Sequence, residues 1–180
     1  MMPLVSDATA LIVLAKSGQQ NLLKHLFSSV WIPSTVFSEI TTKADHDVSV
    51  WDDPFFSIQK AVNDDLYHSL LVILDQGESE AIALAAREGM PLLIDEKKGR
   101  NIARSLGITI IGLVGILLAL RKRSVLDTEQ ARVLINEAIQ SGFRLSDTLY
   151  KDFCRNIEVE DEMELPPRKD RADPFGENWE

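Results

Sequence analysis

Cysteine is nearly missing. Cys154 is the single one among 180 residues, which excludes a disulfide framework and a thiolate zinc site. Histidine is sparse as well. His25, His46 and His68 are scattered without metal-ligand spacing and read as surface or packing residues. No apolar run reaches the roughly 18 residues that a membrane-spanning helix needs; the longest covers 108–120. No basic region precedes the apolar residues at the N-terminus, so no signal peptide is read there. A soluble, cytoplasmic protein with no membrane partner is expected. Positive charge is also in short supply. Nineteen Lys and Arg face 28 Asp and Glu, for a net charge of −9. Such a chain is a poor electrostatic match for nucleic acid, unless its bases cluster or a divalent cation bridges to phosphate. Finally, no glycine-rich loop follows the first apolar run, which argues against a flavodoxin-like nucleotide binder.

What is present is an alternation of short apolar runs with helical patterns. The hydrophobic share is 45% and the charged share 26%, ordinary for one globular domain of this length. Strands are predicted at 3–6, 30–32, 91–94 and 109–111, with an edge strand over 55–62. Helices are predicted at 8–17, 20–27, 35–42, 66–74, 78–88, 97–105, 113–122, from a cap at Asp127 to Ala138, and from Ser146 to Cys154. Residues 44–54, with Asp45, Asp47, Asp52, Asp53 and Pro54, read as a loop. The helix 113–122 is apolar nearly all round and is expected to be central. This order predicts an α/β fold, a three-layer α/β/α sandwich around a parallel sheet. The domain is read as 1–156. Residues 157–180 hold nine acids and three bases and read as an acidic, disordered tail.

One construction occurs twice. Leu92-Leu93-Ile94 runs into Asp95-Glu96, and a helix rich in Lys97, Lys98 and Arg100 follows. Leu4-Val5-Ser6 runs into Asp7, and a helix follows there too. Acids at the carboxyl ends of parallel strands sit where α/β proteins bind ligands. Glu39 lies about two turns into the helix after strand two, so its carboxylate returns toward the same edge. Glu78 and Glu80 open the alanine-rich helix. Each acid alone reads as a helix cap or a solvated charge. Together they offer hard oxygen ligands without histidine or cysteine, a set that selects Mg²⁺ or Mn²⁺. Carboxylates packed this closely repel one another, and a divalent ion removes that penalty. Such an ion also promotes phosphodiester hydrolysis.

The order Asp7, Glu39, Glu80, Asp95 resembles the acid set of the PIN-domain family of metal-dependent nucleases. The strand followed by Asp7-Ala8-Thr9 is similar to its opening motif. Gly77-Glu78-Ser79-Glu80-Ala81-Ile82, Asp95-Glu96-Lys97-Lys98-Gly99-Arg100 and Gly142-Phe143-Arg144 resemble an uncharacterised prokaryotic branch of that family. The resemblance covers about residues 3–156. It implies a Mg²⁺- or Mn²⁺-dependent endoribonuclease acting on single-stranded RNA, and a place as the toxin of a toxin–antitoxin pair. It also implies an antitoxin partner and a homodimer. Asp7, Glu39, Glu80 and Asp95 are the implied catalytic acids, holding metal directly or through water. Glu78 and Glu96 are implied as supporting or second-metal ligands, and Thr9, Lys97 and Arg100 as substrate contacts. Two departures stand out. Glutamate replaces the commoner aspartate at position 80, and Leu113 stands where the branch usually has threonine. The rival reading is a catalytically silent PIN-like module that binds a protein or nucleic acid.

Overall fold

The structure, a computed structural model, describes residues 1–43, 48–60 and 62–162. Five short parallel strands form one sheet in the order β3-β2-β1-β4-β5. They are β1 (Leu4–Ser6), β2 (Val30–Pro33), β3 (Phe56–Gln59), β4 (Leu92–Leu93) and β5 (Ile110–Ile111). The central strand β1 pairs with β2 through Leu4 opposite Val30, and with β4 through Ser6 opposite Leu93. Successive strand side chains point to opposite faces. Leu4 and Leu93 therefore enter one core, and Val5, Leu92 and Ile94 the other.

Helices cover both faces. Helices α1 (Ala8–Lys16), α6 (Leu113–Lys122), α7 (Thr128–Gln140) and α8 (Asp147–Glu162) supply the first core through Leu11, Leu14, Ile116, Leu120, Ile135 and Phe153. Helices α3 (Asp65–Leu71), α4 (Gln76–Glu88) and α5 (Lys97–Ser105) supply the second through Leu70, Ile82 and Ala103. Helix α2 (Ser34–Lys43) packs on both α1 and α4. Each fully buried Leu or Ile contributes about 1.5–3 kcal/mol relative to exposure, so two such cores hold the sheet from both sides. This is the three-layer α/β/α arrangement expected from the sequence.

Local signals explain the boundaries. Asp64, Asp75 and Asp127 accept cap bonds from the third residue of α3, α4 and α7. Gly89 ends α4 in the left-handed conformation at φ 63°, which costs glycine nothing. Several expectations need correction. Residues 20–25 form a 3₁₀ helix and not an α-helix to Phe27. The stretch read as loop holds a 3₁₀ turn at Val48–Asp52, where Trp51 is buried against Phe56 at 4.9 Å. The edge strand β3 is shorter than 55–62. Helix α6 is buried through Leu113, Ile116, Leu117 and Leu120, but Val114, Leu118 and Ala119 are only half-buried. That side lies over the sheet margin, where Gly115 lets the helix approach Ile111.

The last helix runs eight residues past Cys154, because Ile157 is fully buried in the first core. The first residue assigned to the tail is thus part of the packed fold. The Thr128 hydroxyl donates to the Ile157 carbonyl, and Arg121 Nε donates to that hydroxyl. Helix α8 therefore leaves the fold beside the end of α6. The start of α6 carries the acids described next, about 15 Å away along a ten-residue helix. Residues 163–180, most of the stretch read as an acidic tail, lie outside the described residues. So do Asp45 and Asp47.

Candidate active site

Asp7 follows β1 directly. Its N–H still donates to the Leu93 carbonyl at 2.9 Å, so the residue is fixed at the carboxyl edge between β1 and β4. It occupies the N-cap position of α1 yet makes no side-chain cap bond. It is 6% exposed. Burial pushes its pKa up to about 7, the Ala8 N–H partly offsets this, and the charges of Glu78, Asp75 and Glu39 add to the rise. Like charges without a partner in a dry site do this to a carboxylate.

Three of those charges come from two helices. Glu39, on α2, is half-buried and accepts a hydrogen bond from Lys43 Nζ at 2.5 Å. Asp75 caps α4, its Oδ1 accepting from the Glu78 N–H at 2.8 Å. A capping box would send the Glu78 carboxylate back to the Asp75 N–H, but α4 has only the Asp75 half of that box. Glu78 instead is 7% exposed with Oε1 buried and unpartnered. Its pKa is raised, by burial first and then by Asp75. Gly77, the second residue of α4, faces α2. A methyl there would rest in ordinary contact with Glu39 Oε2 at 3.4 Å, Val36 Cγ2 at 3.5 Å and Asp75 Oδ1 at 3.6 Å, so the glycine faces both carboxylates and the apolar side of α2.

Glu80 is arranged differently. It is fully buried, and its Oε2 accepts from the Thr35 N–H in the first turn of α2 at 3.1 Å. Its Oε1 has no partner. It ties α4 to α2, and the three largest carboxylate effects on Asp7 come from other residues. Asp95 ends β4 on the same sheet edge as Asp7. Its Oδ1 accepts from the Leu113 N–H at 3.0 Å and so caps α6, while Oδ2 is buried and unpartnered. Burial raises its pKa to about 6, against the Leu113 N–H and the Arg100 charge. Arg100 itself donates from Nη1 to the Ile94 carbonyl at 2.8 Å. Glu96 is the exposed N-cap residue of α5, and its charge reaches Glu78. Thr9 is half-buried in the first turn of α1, and Lys97 is exposed at the start of α5.

The family model for the PIN domain matches residues 3–159. The chain belongs to the PIN-domain family. PIN domains are generally nucleases that use divalent metal ions. Among solved structures, this PIN domain is similar to a PilT N-terminus domain protein from the hyperthermophilic archaeon Sulfolobus solfataricus. The identity is 19% over 66% of this chain and 92% of that one, with a TM-score of 0.45. No curated protein matches the chain.

The residues of this PIN domain fit a hard divalent cation in kind. The donors are carboxylates only, and such oxygen sets suit Mg²⁺ or Mn²⁺. Glu78 Oε1, Glu80 Oε1 and Asp95 Oδ2 are buried oxygens without partners. The set is not drawn together. Among the described residues no three Asp, Glu, His or Cys side chains stand close enough to hold one ion. Two residues beside the site were missed in the sequence. Asp75 was signalled by Asp75-Gln76-Gly77-Glu78, which has capping-box spacing. Lys43 was signalled by its place four residues after Glu39.

Proposed function

We propose that this PIN domain is a Mg²⁺- or Mn²⁺-dependent endoribonuclease that cleaves single-stranded RNA. We further propose that it is the toxin of a toxin–antitoxin pair, with an antitoxin protein as partner and a homodimer as its working form. The observation that carries the nuclease reading is Asp7. A buried carboxylate with no cap bond, surrounded by Glu78, Asp75 and Glu39, is raised to a pKa of about 7. A protein keeps such a costly group where a ligand of opposite charge relieves it.

In this reading Asp7, Glu39 and Glu78 are the carboxylates that would be drawn onto the ion, with Asp75 and Asp95 as further acids beside them. Glu78 takes the part that the resemblance gave to Glu80. The ion supplies the Lewis-acid charge and the activation of water that phosphodiester hydrolysis needs. The chain's own residues do the rest. Asp95 keeps the start of α6 in place through Leu113. Arg100 and Lys97 contact phosphate oxygens and fix the strand in register. Thr9 lies one residue beyond the Ala8 N–H and contacts the substrate from α1.

The test is a calorimetric titration with Mn²⁺ followed by cleavage of a labelled single-stranded RNA. Saturable Mn²⁺ uptake and metal-dependent cleavage, both lost in Asp7→Asn, are expected. The rival reading, a silent module, draws on the tie between Glu39 and Lys43 and on the open spacing of the acids. RNA binding without Mn²⁺ uptake would favour it.

A further inference from the structure

The sheet edge opposite Asp7 and Asp95 differs from the site in shape and in charge. A groove of about 810 Å³ lies there, where the chain enters β1, β4 and β5. Met2, Phe27, Met90, Leu106 and Ile108 line it, and among the described residues around it Arg123 alone has a charged side chain. Met1, Met2 and Leu106 are exposed, so part of this apolar lining meets water. A groove of this size takes a drug-sized ligand, and methionine lets such a surface adapt to its occupant. The rim is basic. Helices α4, α5 and α6 all end at this edge, and their last turns hold Arg87, Arg104, and Arg121 with Lys122.

The C-terminal segment of the chain sets out from this same end. The Ile157 carbonyl is tied through the Thr128 hydroxyl to Arg121 in the last turn of α6, and Arg123, two residues on, borders the groove. Helix α8 stops at Glu162, and Phe175 and Trp179 follow thirteen and seventeen residues later. Extended chain of that length spans about 40 Å or more, roughly the diameter of a domain of this size. Residues 172–180 hold Asp173, Glu177 and Glu180 and no base. Two large aromatics in an acidic stretch thus match an apolar groove with a basic rim, and the acids at the other edge of the sheet repel that stretch. We propose that segment 172–180 of this same chain docks in the groove, with Phe175 and Trp179 against the methionines and the acids toward the rim. Tethering makes the step intramolecular, so a contact too weak to hold a free peptide is sufficient. Ordering only the end of the segment keeps the entropic cost small. The docked segment leaves the carboxyl edge open, and the proposal stands apart from the nuclease reading.

The full chain, labelled on its methionine ε-methyl groups, tests this by NMR. Met1, Met2 and Met90, three of the four methionines, line the groove. The double variant Phe175→Ala with Trp179→Ala removes the aromatic rings and leaves the packed fold untouched. It is expected to shift the Met2 and Met90 methyl signals, through the loss of ring currents, and to bind more of an anilinonaphthalene sulfonate dye. Glu177→Lys with Glu180→Lys keeps the rings and is expected to move the same signals part of the way. Raised salt is expected to move the wild-type signals in that direction too. Unchanged Met2 and Met90 signals in the double-alanine variant overturn the proposal. No movement in the double-lysine variant also overturns it, because the charge match that selects this segment is then absent. Wild-type signals that change with protein concentration overturn it as well, since the groove then takes the segment of a second copy.

Discussion

The two strand-end acids, Asp7 and Asp95, begin from the same local construction and end in different surroundings. Asp95 spends one oxygen on the Leu113 N–H, has Arg100 nearby, and rises to a pKa of about 6. Asp7 has no cap bond, faces three other acids, and rises to about 7. One side of the site is partly balanced by the protein's own donors. The other is left with excess negative charge, relieved in part by Lys43. The contrast marks the α2–α4 side, beside Asp7, as the more negative of the two.

The most severe way to break this comparison is Asp7→Asn. It is expected to weaken Mn²⁺ binding by more than about 100-fold, beyond the range for outer-shell losses, and to abolish cleavage. In EDTA the same variant should melt higher than the wild type. The sign follows from the raised pKa. The folded protein takes up a proton on Asp7 before the unfolded chain does. Metal-free stability therefore falls as pH rises from about 4, the reference value, through about 7. The cost at pH 8 is on the order of 4 kcal/mol as an upper bound. Melting the metal-free wild type at pH 5.5 and pH 8 checks this directly, and a higher midpoint at pH 8 would contradict it.

Glu78 and Glu80 sharpen the contrast next. Glu78→Gln is expected to weaken Mn²⁺ binding by about 10- to 100-fold or more. Glu80→Gln is expected to leave it within about twofold, because the amide oxygen still accepts from Thr35. Glu80→Ala leaves that N–H unmet and is expected to cost about 1–3 kcal/mol of stability. Urea melts and calorimetry separate the two roles.

Gly112→Ala tests the balanced side. A methyl there would stand 2.7 Å from both Asp95 Oδ1 and Arg100 Nη1. Both are ends of side chains that can yield, so the fold should survive. Asp95 should lose its bond to Leu113, at a cost of about 1 kcal/mol, and cleavage should fall while Mn²⁺ binding changes less than in Asp7→Asn. The smallest effect is expected from truncation after Glu162, since α8 leaves the fold at the far end of α6. Metal and RNA affinity should be unchanged. Truncation after Asn156 is a different experiment, because it removes the buried Ile157 and should cost about 2–5 kcal/mol.

Much of the architecture was legible in the residues. A short, mostly apolar run ending in an acid, with a helix pattern behind, marked both β1–Asp7 and β4–Asp95, because a strand end is a local property. Glycines and capping acids marked helix limits to within a residue or two at α5 and α6. The 3₁₀ segment at 20–25 was not legible, since its leucines at helical spacing suit either helix. Nor was the length of α8, which depends on Ile157 finding a place in a core made by other elements.

Which glutamate's charge bears most on Asp7 lay beyond the sequence for a specific reason. Glu78 and Glu80 differ by two residues, about 200° around a helix, so they cannot serve the same point. Periodicity would normally reveal which side faces inward, but Gly77 to Ala85 are buried without interruption. With every side covered, the pattern carries no orientation. The sequence by itself determined the layered α/β order and the two strand-end acids, because short apolar runs, caps and glycines act locally. The tertiary structure alone decided that Glu80 accepts from Thr35 on α2, that the charges of Glu78 and Asp75 bear on Asp7, and that Lys43 pairs with Glu39. Those placements follow from how α2 and α4 pack on each other, and packing of distant segments is not written in any one of them.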